Sequence, residues 1–165
     1  CILTIVPSMR ASDWQAGTAT TKITPQKLMW MSGYGSRDRP AEGTLTELWA
    51  KALVVEDEDR QRVVLVTLDL IGMDRNTSIR ICAEIERLYG LPHRSVALCF
   101  THTHTGPVVG KNLLSMYFFD EQQGHLVEQV GGSQLYTPQQ MLDPMRIGSA
   151  QSSRDADDLV PLLEQ

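Results

Sequence analysis

The clearest order along the chain is a change of hydrophobic period between residues 51 and 107. Arg62-Val-Val-Leu-Val-Thr-Leu-Asp69 is apolar at nearly every position and rich in β-branched side chains, the pattern of a central strand covered on both faces. Lys51-Ala-Leu-Val-Val55 is a shorter run joined to it through the polar stretch Glu56 to Gln61, which predicts two antiparallel strands joined by a loop. From Thr77 to Tyr89 the period lengthens: Ile81, Ile85 and Leu88 fall at i, i+4 and i+7, with Arg80 and Glu84 four apart on another face. This predicts an amphipathic helix, capped at its start by Asn76 or Thr77 and stopped by Gly90 and Pro92. Ser95-Val-Ala-Leu-Cys-Phe100 then reads as a second buried strand. Strand, helix and strand make one βαβ unit, whose crossover sets the two strands parallel with a right-handed connection. The predicted class is α/β, a layered sheet built around a parallel βαβ unit.

In open α/β sheets ligands bind beyond the carboxyl ends of parallel strands. Here those ends are Asp69-Leu-Ile-Gly72 and Thr101-His-Thr-His-Thr-Gly-Pro107, so a carboxylate and two imidazoles are expected at one sheet edge. His102 and His104 stand at i and i+2, which in an extended segment puts both rings on one face. Imidazole is the commonest zinc ligand, and a catalytic zinc takes about three protein ligands, so two histidines from one strand end do not complete a site. A hydrogen-bonded histidine pair without metal fits the same spacing; the flanking threonines, the Gly-Pro turn and the strand end favour a site. Asp69 could ligate a metal, fix a histidine tautomer or cap the following loop, and the latter two roles rank above ligation.

The loop Met31-Ser-Gly-Tyr-Gly-Ser-Arg-Asp-Arg-Pro-Ala-Glu-Gly43, which contains Gly33 and Tyr34, has the composition to bring backbone N–H donors close to a ligand. It fits no nucleotide fingerprint, and a solvated surface loop is the alternative. Met29, Trp30 and Met31 could line a pocket, though such a cluster is more often core. His93, after Pro92, is expected to face solvent, and His125 to lack a partner.

Composition narrows the class further. The 165 residues suffice for one domain, and 42% hydrophobic with 21% charged residues excludes collagen, coiled coil and wholesale disorder. No stretch reaches the roughly eighteen apolar residues of a spanning helix. A net charge of -5 and a pI near 5.3, with scattered Lys and Arg, argue against nucleic acid as a partner. Residues 1 to 110 carry 12 Lys+Arg against 12 Asp+Glu, whereas residues 111 to 165 carry 3 against 8 and hold 8 of the Gln, so the tail is a separate problem. Three cysteines at 1, 82 and 99 imply no disulfide framework, and Cys82 and Cys99 read as small core residues. Residues 1–12 read as the remnant of an export signal, which makes the chain exported, periplasmic or extracellular; a lipid-modified Cys1 is the rival explanation.

Ile23-Thr-Pro25, Trp30-Met-Ser-Gly-Tyr-Gly35, the run Leu48 to Ala52, Val66-Thr-Leu-Asp-Leu-Ile-Gly72, Tyr89-Gly-Leu-Pro92 and Thr101-His-Thr-His-Thr-Gly-Pro107 occur in an order and spacing that resembles the start of the neutral/alkaline non-lysosomal ceramidases. The resemblance covers roughly residues 14 to 119; Thr105 stands where the commonest family version has Ser. It implies a secreted or membrane-associated zinc amidase that cuts ceramide, or a related N-acyl lipid, into its amine and a fatty acid. It also implies His102 as a zinc ligand and His104 beside the reacting carbonyl; Gly33 and Tyr34 of the Gly-rich loop are expected against the substrate, and Asp69 in support of the histidines. Any membrane contact would be peripheral, through the substrate, and no protein partner is implied.

The family's later motifs, which supply the remaining zinc ligands and a serine nucleophile, do not occur here, and residues 120–165 turn Gln-rich and acidic. The expectation is therefore residues 13–119 as the N-terminal part of a larger α/β catalytic domain, truncated and inactive alone, followed by a poorly ordered tail. Short tail helices are expected only at about 122–130 and 159–163. The other readings are a non-catalytic incomplete domain and a His-x-His metal-dependent phosphoesterase, though the latter expects an acidic residue where Gly106-Pro107 stands.

Overall fold

The computed structural model describes residues 14–129, and the expected signal remnant, Cys1 and the helix at 159–163 lie outside them. Four strands form one sheet in sequence order: β1 (Gln15–Lys22), β2 (Trp49–Glu56), β3 (Arg62–Leu68) and β4 (Val96–Phe100). β1 with β2 and β2 with β3 are antiparallel, and β3 with β4 is parallel, joined through helix α1 (Arg75–Tyr89). The class and the βαβ unit are thus as the periodicity predicts. β1 has no such signal: Gln-Ala-Gly-Thr-Ala-Thr-Thr-Lys buries only Ala19 and holds its place through backbone pairing at the sheet edge.

Strand β3 departs from expectation. Val64, Val66 and Leu68 are buried, but Val63 and Leu65 are 55% and 40% exposed, so one face of this apolar strand is open among the described residues. Successive side chains alternate, and α1 covers a single face. The register carries the alternation across the sheet, Leu53 to Leu65 to Ala97 on the open face and Ala52 to Val66 to Leu98 on the packed one. Cys99, opposite Thr67, falls on the open face and is exposed, whereas Cys82 is buried in α1 as expected.

Helix α1 packs Thr77, Ile81, Cys82 and Ile85 onto the sheet. Its cap is Asp74, not Asn76 or Thr77: Oδ1 accepts from the N–H groups of Asn76 (3.0 Å) and Thr77 (3.1 Å). Oδ2 accepts from the Thr77 hydroxyl and the Lys111 N–H. Burial raises the Asp74 carboxyl, but these four donors outweigh it and the net pKa is lowered. Gly90 closes the helix in the left-handed region at φ 67°. On the outer surface Glu84 is held by Arg87 through a two-pronged contact.

The packed body extends past the boundary expected at residue 119. Helix α2 (Glu121–Gln129), expected from Gln122, buries Val127 and Gln123, and the Gln123 side-chain oxygen accepts the Trp30 N–H at 3.0 Å. His125, expected to lack a partner, lies one turn from Glu121, with Nε2 4.0 Å from its Oε1. No helix among the described residues is long and apolar enough to cross a membrane.

The β2–β3 hairpin is clamped at its loop end by Glu56, which is 1% exposed and receives Arg60 Nη1 at 2.7 Å and Arg62 Nε on its other oxygen. The Arg62 and then the Arg60 hydrogen bonds hold its carboxyl below the usual range of about 4.3. A carboxylate with a depressed folded pKa contributes stability that is present above the unfolded value and lost as pH falls through the folded one. Glu56→Gln is therefore expected to lower stability at pH 7 and to flatten the loss of stability below about pH 4.3. Denaturant unfolding across pH checks this, and an unchanged acid slope would contradict it.

Candidate functional site

The parallel pairing ends at Leu68 opposite Phe100, and both chains leave the sheet at the same edge. The first continues as Asp69–Gly72 and the second as Thr101–Pro107, with the Thr101 N–H returning to Leu68 O at 3.0 Å. Gly106 sits so close to the first segment that a Cβ there would lie 3.0 Å from Asp69 O. The Gly-rich loop joins as a third segment: the Ser32 N–H donates to Gly106 O and the Val108 N–H to Trp30 O, both at 2.9 Å, around an antiparallel bridge between Met31 and Pro107. Ser32 is fully buried, and its hydroxyl reaches Gly106 O and Pro107 O.

His102 and His104 do come together, with ring centroids 5.2 Å apart and planes at 65°, but not by strand alternation. His102 takes a left-handed backbone conformation at φ 58°, which a sequence argument from extended geometry does not foresee. Its Nδ1 lies 3.1 Å from Ile71 O. A carbonyl only accepts, so this bond puts the proton on Nδ1 and leaves the lone pair on Nε2, the arrangement usual for a metal-ligating histidine.

His104 is set differently. Its Nδ1 is buried with no hydrogen-bond partner, packed where a side chain at position 33 would stand: a Cβ on Gly33 would lie 2.5 Å from both Cγ and Nδ1. Gly33 has φ 103°, and its N–H donates to the Tyr117 hydroxyl at 2.8 Å. The Tyr34 ring meets the His104 ring at 4.6 Å. With Nδ1 closed in, Nε2 is the His104 nitrogen left to meet a ligand. Thus Gly33, Tyr34, His102 and His104 form one cluster. Asp69 lies on the same edge with its Oδ2 accepting the Trp49 N–H at 2.9 Å.

Two contributors were not singled out from sequence. Tyr117 anchors Gly33, and Arg37 crosses from the loop to the histidine segment, donating to Ser32 O and, at 2.8 Å, to His104 O. Arg37 was visible only as one of two arginines in the loop, with nothing to separate it from exposed Arg39. Beside the cluster runs an apolar groove of about 290 Å³ whose lining includes Leu28, Met29, Met31, Leu45, Thr105 and Pro107. Met29 and Trp30 are core, as expected, while Met29 and Met31 also face the groove. His93 is exposed, as expected.

The fit to zinc is one-sided. His102 Nε2 suits one coordination position, but no three His, Cys, Asp or Glu side chains converge among the described residues.

The sequence profile of neutral/alkaline non-lysosomal ceramidases, N-terminal region, matches residues 14–125. Neutral ceramidase 3 of Arabidopsis thaliana is 30% identical over 99 residues, covering 58% of this chain and 14% of that protein. Neutral ceramidase of Pseudomonas aeruginosa is 29% identical over 112 residues, covering 64% and 17% respectively. The crystal structure of the neutral ceramidase from Pseudomonas aeruginosa superposes with TM-score 0.57 at 25% identity, over 73% of this chain and 20% of that one. The chain therefore spans about one-seventh to one-fifth of the relatives it matches.

Gly33→Ala is expected to cost about 1–3 kcal/mol, through the strained φ and the collision with His104. It should also shift the His104 ring signals in a proton–carbon NMR spectrum. Wild-type stability with unmoved ring signals would contradict the packing described.

Proposed function

The chain belongs to the neutral/alkaline non-lysosomal ceramidase family, and from that membership we propose that it carries the N-terminal share of an amidohydrolase site acting on ceramide or a related N-acyl lipid. The observation that carries this reading is the His102 contact to Ile71 O, which turns Nε2 into a fixed donor at the carboxyl edge of β3 and β4. In this proposal His102 holds one position of a zinc ion, whose other ligands come from beyond the described residues. A zinc so held would supply Lewis-acid polarisation of the amide carbonyl.

The remaining chemistry falls to this chain's own groups. His104 presents Nε2 toward the reacting carbonyl, its ring fixed by Gly33 and Tyr34. The absence of a side chain at Gly33 keeps the loop backbone against that ring. Tyr34, half-exposed, offers a ring edge and a hydroxyl to a polar headgroup. The apolar groove at Thr105 and Pro107 supports a substrate that carries a hydrocarbon chain. Export, expected from residues 1–12, belongs to the same proposal.

Zinc titration of the full chain, paired with fatty acid release from a fluorescent ceramide, tests this reading. In a full-length version that supplies the other ligands, wild type is expected to bind roughly one zinc per chain and His102→Ala to lose it, with turnover lost in parallel. Equal zinc affinity in the two proteins would remove the ligand assignment. Several metals per chain with phosphate-ester hydrolysis would favour a phosphoesterase instead.

A further inference from the structure

We infer that Arg37 is a positioning residue of this site, setting where the His104 ring stands rather than binding a ligand itself. Its guanidinium makes three contacts that tie two segments together. One nitrogen donates to Ser32 O, within the loop; a second donates to His104 O at 2.8 Å, across to the histidine segment; and its central carbon lies 4.9 Å from the Tyr34 ring centre. Tyr34 in turn meets the His104 ring at 4.6 Å, and His104 meets His102 at 5.2 Å. The chain of contacts from Arg37 thus reaches His104 twice, at its backbone and at its ring, and ends on the residue that offers Nε2.

Geometry makes this more than a loop staple. The His104 ring has no hydrogen bond at Nδ1 to hold it, so its orientation depends on packing alone, against Gly33 on one side and Tyr34 on another. Arg37 fixes both of those neighbours: Gly33 directly follows the carbonyl it binds, and Tyr34 lies beneath its guanidinium. A planar fork can satisfy two carbonyls and stack on a ring together, whereas an ammonium at the end of a lysine stem cannot. The loop's own pairing to Gly106 and Val108 persists without Arg37, so the fold should survive its loss.

The kinetic part of this inference rests on the amidase reading; the positional part does not. In the full chain, Arg37→Ala and Arg37→Lys are expected to keep the thermal transition close to wild type while broadening and shifting the His104 ring signals in proton–carbon NMR. If wild type releases fatty acid, Arg37→Ala should lower kcat about ten- to a hundredfold with KM within about twofold. Millimolar guanidinium ion should restore part of the loss, and Arg37→Lys should not. His104 signals that match wild type in both variants, or full kcat in Arg37→Lys, would overturn the assignment. Should Arg37→Ala fail to fold, the wild-type spectrum decides: a through-hydrogen-bond coupling from the Arg37 guanidinium to the His104 carbonyl carbon supports it, and freely averaged guanidinium signals overturn it. The ring signals decide the role of Arg37 whether or not this chain releases fatty acid, so failure of the positional part and failure of the amidase reading are distinguishable.

Discussion

The parallel pairing of β3 with β4 is the constraint from which the site follows. Because α1 returns the chain to run alongside β3, Leu68 and Phe100 end level with each other, and two segments distant in sequence leave the sheet together. Ile71 O can then reach His102 Nδ1, and Gly106 can press against Asp69. Antiparallel neighbours would have sent these segments to opposite edges. The packing under α1, centred on Ile81, Ile85 and the buried row Val64, Val66 and Leu68, therefore fixes the register that brings these segments together.

Onto this edge the loop from Trp30 to Arg37 is laid by backbone hydrogen bonds rather than by apolar packing alone. Ser32 and Met31 pair with Gly106 and Pro107, Gly33 is tied to Tyr117, and Arg37 closes the circuit on His104. Each of these links spans more than sixty residues of sequence. Such non-local links make the histidine pair a product of the whole folded body, including residues near α2.

Much of this was legible in the sequence where local period and chemistry agree. The β2–β3 hairpin, α1 and β4 follow from runs and spacing, and the His102 and His104 cluster with Gly33 and Tyr34 follows from strand ends and a family pattern. What was not legible depends on groups distant in the chain. Nothing in Val63, Leu65 or Cys99 says whether a second layer covers them, since a buried and an open face of β3 carry equally apolar residues. The cap fell to Asp74 because Lys111 and Thr77 also bind it, and Lys111 is far away in sequence. The positive φ at His102 and the fork of Arg37 likewise come from tertiary contacts. β1 escaped notice because an edge strand of small and threonine side chains pairs through its backbone and leaves almost no hydrophobic period.

The central claim is that the sheet edge presents His102 with a free Nε2 lone pair. Long-range proton–nitrogen NMR of the histidine rings at neutral pH reads this directly. The account predicts that His102 carries its proton on Nδ1, donated to Ile71 O, with Nε2 unprotonated. A His102 ring protonated on Nε2 alone would contradict it, because that nitrogen could then bind no metal and the contact to Ile71 O would not be a hydrogen bond.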